Sequence, residues 1–292
     1  MLSDNSSMRS RTGLAHELRA LGVCEGDLLM VHASLRAIGP VEGGPSQVLG
    51  ALLDAVGPAG TIAAFVSWDR SSYEQTLNGA KLDERERQAW PAFDPAANPE
   101  PYAEFGALNR FICNHPAVRR SASPDASFAA IGRLADEITR EHPLVEGYGP
   151  GSPLGRIVRM QGRVLLLGAG LDSVTVLHHA EVLADIPGKR RVTYEVPIAT
   201  PDGKRWVRAE NFDTNGILDE FAVPGRPDAV ETIARDYVAR GHGRRGRVGG
   251  AGCYLFEAGP IVDFGVQWLE ARSPRLERPG QRAELHRKQR SA

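Results

Sequence analysis

Apolar positions along the chain follow helical spacing in some stretches and run unbroken in others. Leu14, Leu18 and Leu21 recur at helical spacing between Thr12 and Gly22, which predicts an amphipathic helix stopped by Gly22. "DLLMVHAS" (Asp27 to Ser34) is an apolar run of strand length, "PSQVLGALLDAV" (Pro45 to Val56) reads as a helix closed by "GPAG", and "TIAAFVSW" (Thr61 to Trp68) reads as a second strand. This β-α-β opening predicts a parallel pair with a crossover helix. Ligands are then expected beyond the carboxyl ends of the strands, where "HASLR" and "SWDR" stand.

The pattern lapses from Asp69 to about Pro101, a polar stretch that includes "FDPAANPEP"; a loop of that length is usually functional or disordered. Beyond it, "SFAAIG" predicts a short strand, Arg133 to Glu141 a helix and "YGPGSPLG" a tight loop. "RVLLLGAG" (Arg163 to Gly170) is the most apolar strand, and "VTVLHHAEVLADI" (Val174 to Ile186) follows it as a helix. "RRVTYEVPIAT" and "KRWVRAENFD" flank the turn residues "PDG", which predicts an antiparallel hairpin and hence a mixed sheet. "RPDAVETIARDYVARG" and "IVDFGVQWLEAR" predict two further helices, and no internal repeat is present.

Composition narrows the class. The 292 residues are 42% hydrophobic and 24% charged, an ordinary globular balance with enough chain for one large core. Thirty-five Lys and Arg against thirty-six Asp and Glu leave no basic field for nucleic acid or an anionic membrane, so neither partner is expected. Cys24, Cys113 and Cys253 form no C-x-x-C pair, which argues against a disulfide framework and a thiolate zinc site. With no apolar leader and no run approaching ~18 apolar residues, the expected location is cytoplasmic. The expected organisation is a flexible tail over 1–12, a single domain over 13–272 and a basic mobile tail over 273–292.

Candidate chemistry sits at several points. In "LLLGAG" only Gly168 and Gly170 of a dinucleotide-binding glycine pattern are present, with Ser173 in the third place, so a tight turn is favoured over a nicotinamide site. His178 and Glu181, at i and i+3, are a base with its orienting carboxylate or a solvated pair, and spacing leaves both open. No third ligand accompanies them, so no metal is expected. His32, Ser34 and Arg36 can donate to phosphate or carbonyl groups, or simply cap the next element. "RRSASPDAS" (Arg119 to Ser127) suits an anion, and Asp69, Glu74, Asp94, Asp213, Asp219 and Glu220 would hold a polycation if they faced one cleft.

Read together, these stretches closely resemble the aminoglycoside 3-N-acetyltransferase family. The carrying motifs are "GDLLMVHASLRAIGPVEGG", "SWDRSSYEQTLNGA", "FDP", "RRSASPDASFAAIG", "GSPLGR", "LLLGAGLDSVTVLHHAE", "DIPGKRRVTYE", "DTNGILDEFA" and "PDAVETIARDYV", in family order from about Leu14 to Arg272. The resemblance implies a three-layer α/β/α fold with a central mixed sheet, distinct from the GCN5-related fold. It also implies an acetyl-CoA-dependent enzyme that acetylates the 3-amino group of the 2-deoxystreptamine ring of aminoglycoside antibiotics and confers resistance, without a metal, as a monomer or homodimer.

Carried over residue by residue, the family's T-x-L-H-x-x-E pattern falls on Thr175, Leu177, His178 and Glu181. It makes His178 the base, Glu181 the local candidate to orient it, Thr175 a hydroxyl donor to the oxyanion, and His179 a supporting or surface residue. The pattern places His32, Ser34, Leu35, Arg36, Arg120, Ser121 and Ser152 near the coenzyme. Ser123, also a coenzyme-binding candidate, stands where the family commonly has histidine in R-S-x-H-P. Asp69, Tyr73, Glu74, Asp94 and Asp213 are the expected antibiotic-binding set. The rival readings are a same-fold enzyme acting on another amine and a non-catalytic aminoglycoside-binding protein. Retention of the base argues against the second.

Overall fold

The computed structural model describes residues 8–97, 99–214, 218, 220–221 and 228–273. Residues 1–7 of the expected N-terminal tail, Asp219, and the expected basic tail from 274 onward lie outside them. Within the expected N-terminal tail, Arg9 bridges Val41, and the Ser10 side chain caps α1 (Arg11–Leu21). Regular structure therefore starts before residue 13. Gly22, at φ 114°, ends that helix as the pattern predicts.

The central sheet uses β1 (Leu28–Ala33), β2 (Thr61–Phe65), β3 (Arg119–Arg120), β4 (Phe128–Gly132), β5 (Arg163–Leu167), β8 (Arg244–Val248) and β9 (Ala251–Glu257), in the order β3-β4-β2-β1-β5-β9-β8. β1 is parallel to β2 and β5, while β4 and β9 run antiparallel to their neighbours. The sheet is mixed, as expected, but for a different reason. The hairpin β6 (Arg191–Thr200) and β7 (Gly203–Phe212) forms a separate two-stranded sheet, and the antiparallel members are β4 and β9. The sequence pattern does not announce β8 and β9: β8 is an exposed edge strand, "RRGRV", with no apolar alternation.

Side chains leave β1 alternately to two apolar clusters. Leu28 and Met30 join one, Leu29 and Val31 the other. α1, α2 (Ser46–Val56) and α3 (Leu108–Cys113) cover the second. α4 (Pro153–Arg159), α5 (Leu177–Leu183), α6 (Ala229–Ala239) and α7 (Ala258–Arg272) cover the first. The result is the three-layer α/β/α architecture. Its central strands carry side chains that are almost wholly buried on both faces.

Residues 69–101 are not an irregular loop throughout. They contain short helical turns, including Tyr73–Thr76 and Glu84–Ala89, and the segment is tied to the hairpin. Ser72 Oγ donates to the Glu195 carbonyl at 2.6 Å, the Phe93 N–H donates to the Pro197 carbonyl at 2.8 Å, and Arg87 pairs with Glu195 at 2.8 Å. Segment and hairpin together wall one side of the space above the carboxyl ends of β1, β2 and β5. "YGPGSPLG" is also only partly loop, because Ser152 caps α4 from within it.

Candidate active site

A cleft of about 1220 Å³ opens at the carboxyl ends of β1, β2 and β5. His32, Ser34, Leu35 and Arg36 enter it from the end of β1, and Phe65 and Trp68 from β2. Gly168, just past β5, stands at φ +73°, and a Cβ there would lie 2.6 Å from the Cβ of Ala37. The glycine of "LLLGAG" thus serves the close approach of two chain segments, which is the turn reading rather than the dinucleotide one.

On α5, His178 Nδ1 lies 2.9 Å from Glu181 Oε1. A carboxylate only accepts, so Nδ1 carries the proton and donates, leaving Nε2 for the cleft. The His178 side chain is 24% exposed and that of Glu181 0%, so the imidazole can be reached while its partner cannot. Burial works to lower the His178 pKa, but the charge and hydrogen bond of Glu181 reverse this and hold it above the ordinary value. Lys189 Nζ donates to the carbonyls of Glu181, Val182 and Ala184 at 3.2, 2.8 and 2.6 Å. It closes the carboxyl end of the helix with a cation, the sign the helix dipole favours there.

Thr175 precedes α5 in a turn, lines the cleft, and has its carbonyl taken by the His178 N–H at 3.0 Å. His179 is buried rather than on the surface, and its Nδ1 lies 2.7 Å from the Tyr148 carbonyl. His32 also lines the cleft. Its buried Nε2 has no hydrogen bond, and burial followed by the nearby charge of His178 pushes its pKa down to about 4, so it is neutral at physiological pH.

The structure separates the remaining sequence-predicted residues. Asp69, Tyr73 and Glu74 line the cleft together. Asp94 does not, because its carboxylate turns back to accept from the Ala96 N–H at 2.9 Å. Asp213 lies beside the rim between the lining residues Phe212 and Thr214, ion-paired with Arg190 at 2.6 Å, and its charge helps raise the pKa of Tyr73.

Four residues expected near the coenzyme, Arg120, Ser121, Ser123 and Ser152, are buried away from the cleft lining. Arg120 donates to the carbonyls of Ser67 and Pro99 and to Ser127 Oγ, so its guanidinium is spent on backbone and hydroxyl partners. Ser121 Oγ accepts from the Phe128 N–H at 2.9 Å and meets His142 Nδ1 at 2.9 Å, while Ser152 Oγ donates to the Gly149 carbonyl at 2.6 Å. Among the described residues, no three His, Cys, Asp or Glu side chains are placed to share a metal ion.

The sequence profile of the aminoglycoside 3-N-acetyltransferase family matches residues 30–270. The chain belongs to this family. It is an acyltransferase. Aminoglycoside N(3)-acetyltransferase III of Serratia marcescens is 58% identical over 264 residues, covering 90% of this chain and 98% of that one. Two solved structures of relatives share its fold. AAC-VIa bound to sisomicin has a TM-score of 0.87 at 50% identity, covering 91% of this chain and 99% of that one. AAC-IIIb in a binary complex with CoASH has a TM-score of 0.85 at 42% identity, covering 92% and 99%.

In this aminoglycoside 3-N-acetyltransferase family member, several residues that shape the site escape sequence reasoning. Tyr148 sets its ring 5.6 Å from the His178 ring, and Tyr194, Asn211 and Asp125 also line the cleft. Asp125 and Lys189 lie inside quoted motifs, but nothing in their local spacing marks them. The charged lining is one-sided: Asp69, Glu74, Glu104, Asp125 and Asp172 against Arg36. The whole chain is nearly neutral at −1, so this acidity is a property of the cleft.

Proposed function

We propose that this chain transfers the acetyl group of acetyl-CoA to the 3-amino group of the 2-deoxystreptamine ring of aminoglycoside antibiotics, in the cytoplasm, and so confers resistance. One observation carries the reading: a reachable imidazole, held by a buried carboxylate, faces a cleft with five acidic residues and one arginine in its lining. The relatives' complexes with sisomicin and with CoASH agree with a polycationic acceptor and a coenzyme A thioester donor. A volume of about 1220 Å³ exceeds the roughly 300–1,000 Å³ usual for one small ligand, which suits two substrates bound together.

His178 Nε2 takes a proton from the ammonium as the freed amine attacks the thioester carbonyl. A C–N bond forms, the C–S bond breaks, the attacking nitrogen releases its second proton to water, and the proton held on His178 passes to the departing thiolate. Glu181 fixes the tautomer and stabilises the imidazolium. Thr175 offers its hydroxyl to the oxyanion. General-base help of this kind is worth about 10² to 10⁴ in rate, and holding both substrates in one complex contributes more. At the end of β1, Ser34, Leu35 and Arg36 receive the coenzyme, and the unpartnered Nε2 of His32 is a polar atom suited to it. Asp69, Tyr73 and Glu74 hold ammonium groups of the antibiotic, an attraction that weakens with salt.

The test is direct. The protein is incubated with acetyl-CoA and a panel of aminoglycosides, and free thiol is followed. Release with compounds that bear a free 3-amine is expected. No release with any of them would falsify the reading.

A further inference from the structure

The cleft lining includes a carboxyl group that takes no part in the transfer step. Asp125 lines the cleft beside Tyr73, Tyr148, Tyr194 and Asn211. It is held firmly: Ser71 Oγ donates to its Oδ1, and Ser67 Oγ to its backbone carbonyl. Ser67 itself sits at φ +32°, an unusual conformation for a non-glycine residue, and Arg120 donates to its carbonyl. Behind the carboxyl group, the Gly147 N–H donates to Asn211 Oδ1 at 2.5 Å and Asn211 Nδ2 donates to the Tyr194 hydroxyl at 2.6 Å. The Tyr194 hydroxyl stands close enough to favour the anion, yet no hydrogen bond to the buried Oδ2 meets ordinary geometry.

A buried carboxylate normally pairs with a cation. Asp125 forms no ion pair among the described residues, and the guanidinium of Arg120 is spent on Ser67, Pro99 and Ser127. Burial pushes its pKa up to about 7, against the help of Tyr194. The ionisable groups facing it are phenols, Tyr73, Tyr148 and Tyr194, and the charges of Glu74 and Asp213 reach Tyr73. A cationic ligand would find a carboxyl group fixed by Ser71 and without a cationic partner among the described residues, with aromatic rings able to flank an ammonium. An anionic ligand would find only repulsion.

We propose that Asp125 is the anchor for one ammonium group of the aminoglycoside, a binding residue held in place by Ser71, Ser67 and the Asn211–Tyr194 pair. The inference rests on the acetyltransferase reading above.

The test compares wild type with Asp125→Asn in the thiol-release assay. A charge-assisted hydrogen bond corresponds to a rise in antibiotic KM of roughly tenfold to a hundredfold, with acetyl-CoA KM within about twofold of wild type. Melting supplies a readout that a merely structural role would move the other way. Removing an uncompensated buried charge should leave the ligand-free Asp125→Asn protein at least as stable as wild type at about pH 8, while the antibiotic-induced rise in Tm shrinks. An antibiotic KM within about twofold of wild type, or a lowered ligand-free Tm with both KM values unchanged, overturns the proposal.

Should Asp125→Asn fail to fold, Tyr194→Phe decides. A rise in antibiotic KM of about threefold or more, at constant acetyl-CoA KM, supports the anchor, and no rise overturns it. A wild type that releases no thiol with any aminoglycoside sinks the enzyme reading itself. An active wild type with unmoved variants sinks only Asp125.

Discussion

His178 Nδ1 and Glu181 Oε1 stand 2.9 Å apart on successive turns of one helix, the imidazole at the cleft and the carboxylate fully buried behind it. The pair combines access with orientation. The imidazole reaches the cleft, while the carboxylate bonded to it is shielded from competing water.

His178→Ala should cut kcat by about 10² to 10⁴, the usual worth of a positioned base, while calorimetry still finds antibiotic binding. His179→Ala should retain far more activity but unfold more easily, by about 1–3 kcal/mol in chemical denaturation, because the Tyr148 carbonyl loses its buried partner. The reverse ranking of the two activities would refute the assignment of the base.

Glu181→Gln should shift the pH dependence of kcat/KM. Glu181 raises the His178 pKa against the effect of burial, so removing its charge lets that pKa fall. Activity needs neutral His178, so the acidic limb should move to lower pH. The plateau should also drop, by about tenfold or more, because the amide no longer enforces the tautomer. An acidic limb that stays in place would separate Glu181 from the titrating group.

Gly265, on α7, faces α5: a Cβ there would lie 2.8 Å from Leu177 Cδ2 and 3.0 Å from the Ala180 Cβ. Gly265→Val should cost about 1–3 kcal/mol of stability through overpacking and depress kcat by displacing the helix that carries His178. Gly265→Ala should show the same effects in smaller measure. Urea denaturation and steady-state kinetics measure the two together.

Acid should weaken the fold through His142. Its ring is buried between Ser121 and Gly147, and burial pushes its pKa down to about 4 from the ordinary ~6.5. Between those values the unfolded chain binds a proton that the folded chain refuses, so stability falls as pH drops through this window, by up to roughly 3 kcal/mol. Asp125 acts with the opposite sign. Its folded value of about 7 lies above the unfolded ~3.9, so its contribution is lost as pH rises. Urea midpoints measured from about pH 7 to pH 4 should therefore fall more steeply in Asp125→Asn than in wild type. Parallel slopes would contradict the two burial effects.

Where a feature depends on neighbours in sequence, the chain itself determined it. The Leu14, Leu18, Leu21 stripe and its stop at Gly22 are one helix's own spacing and cap, the β1-α2-β2 opening follows from run lengths, and His178 meets Glu181 because i and i+3 share a helix face. The motif order added the family, and with it the expectation that His178 rather than His179 is the base.

Tertiary structure alone decided which polar residues share the cleft. Asp69 and Asp94 both lie in the polar segment, yet only Asp69 reaches the lining, because Asp94 closes a local turn with Ala96. Arg120 and Ser121 suit an anion by composition, but long-range partners draw them inward, Ser67 from 53 residues away and His142 from 21. Asp125 becomes a cleft carboxyl group only when Ser71, 54 residues earlier, folds against it. Spacing reports what one turn of helix or strand brings together. Burial and charge compensation are set by residues far along the chain, and they determine which side chains remain free to meet a ligand.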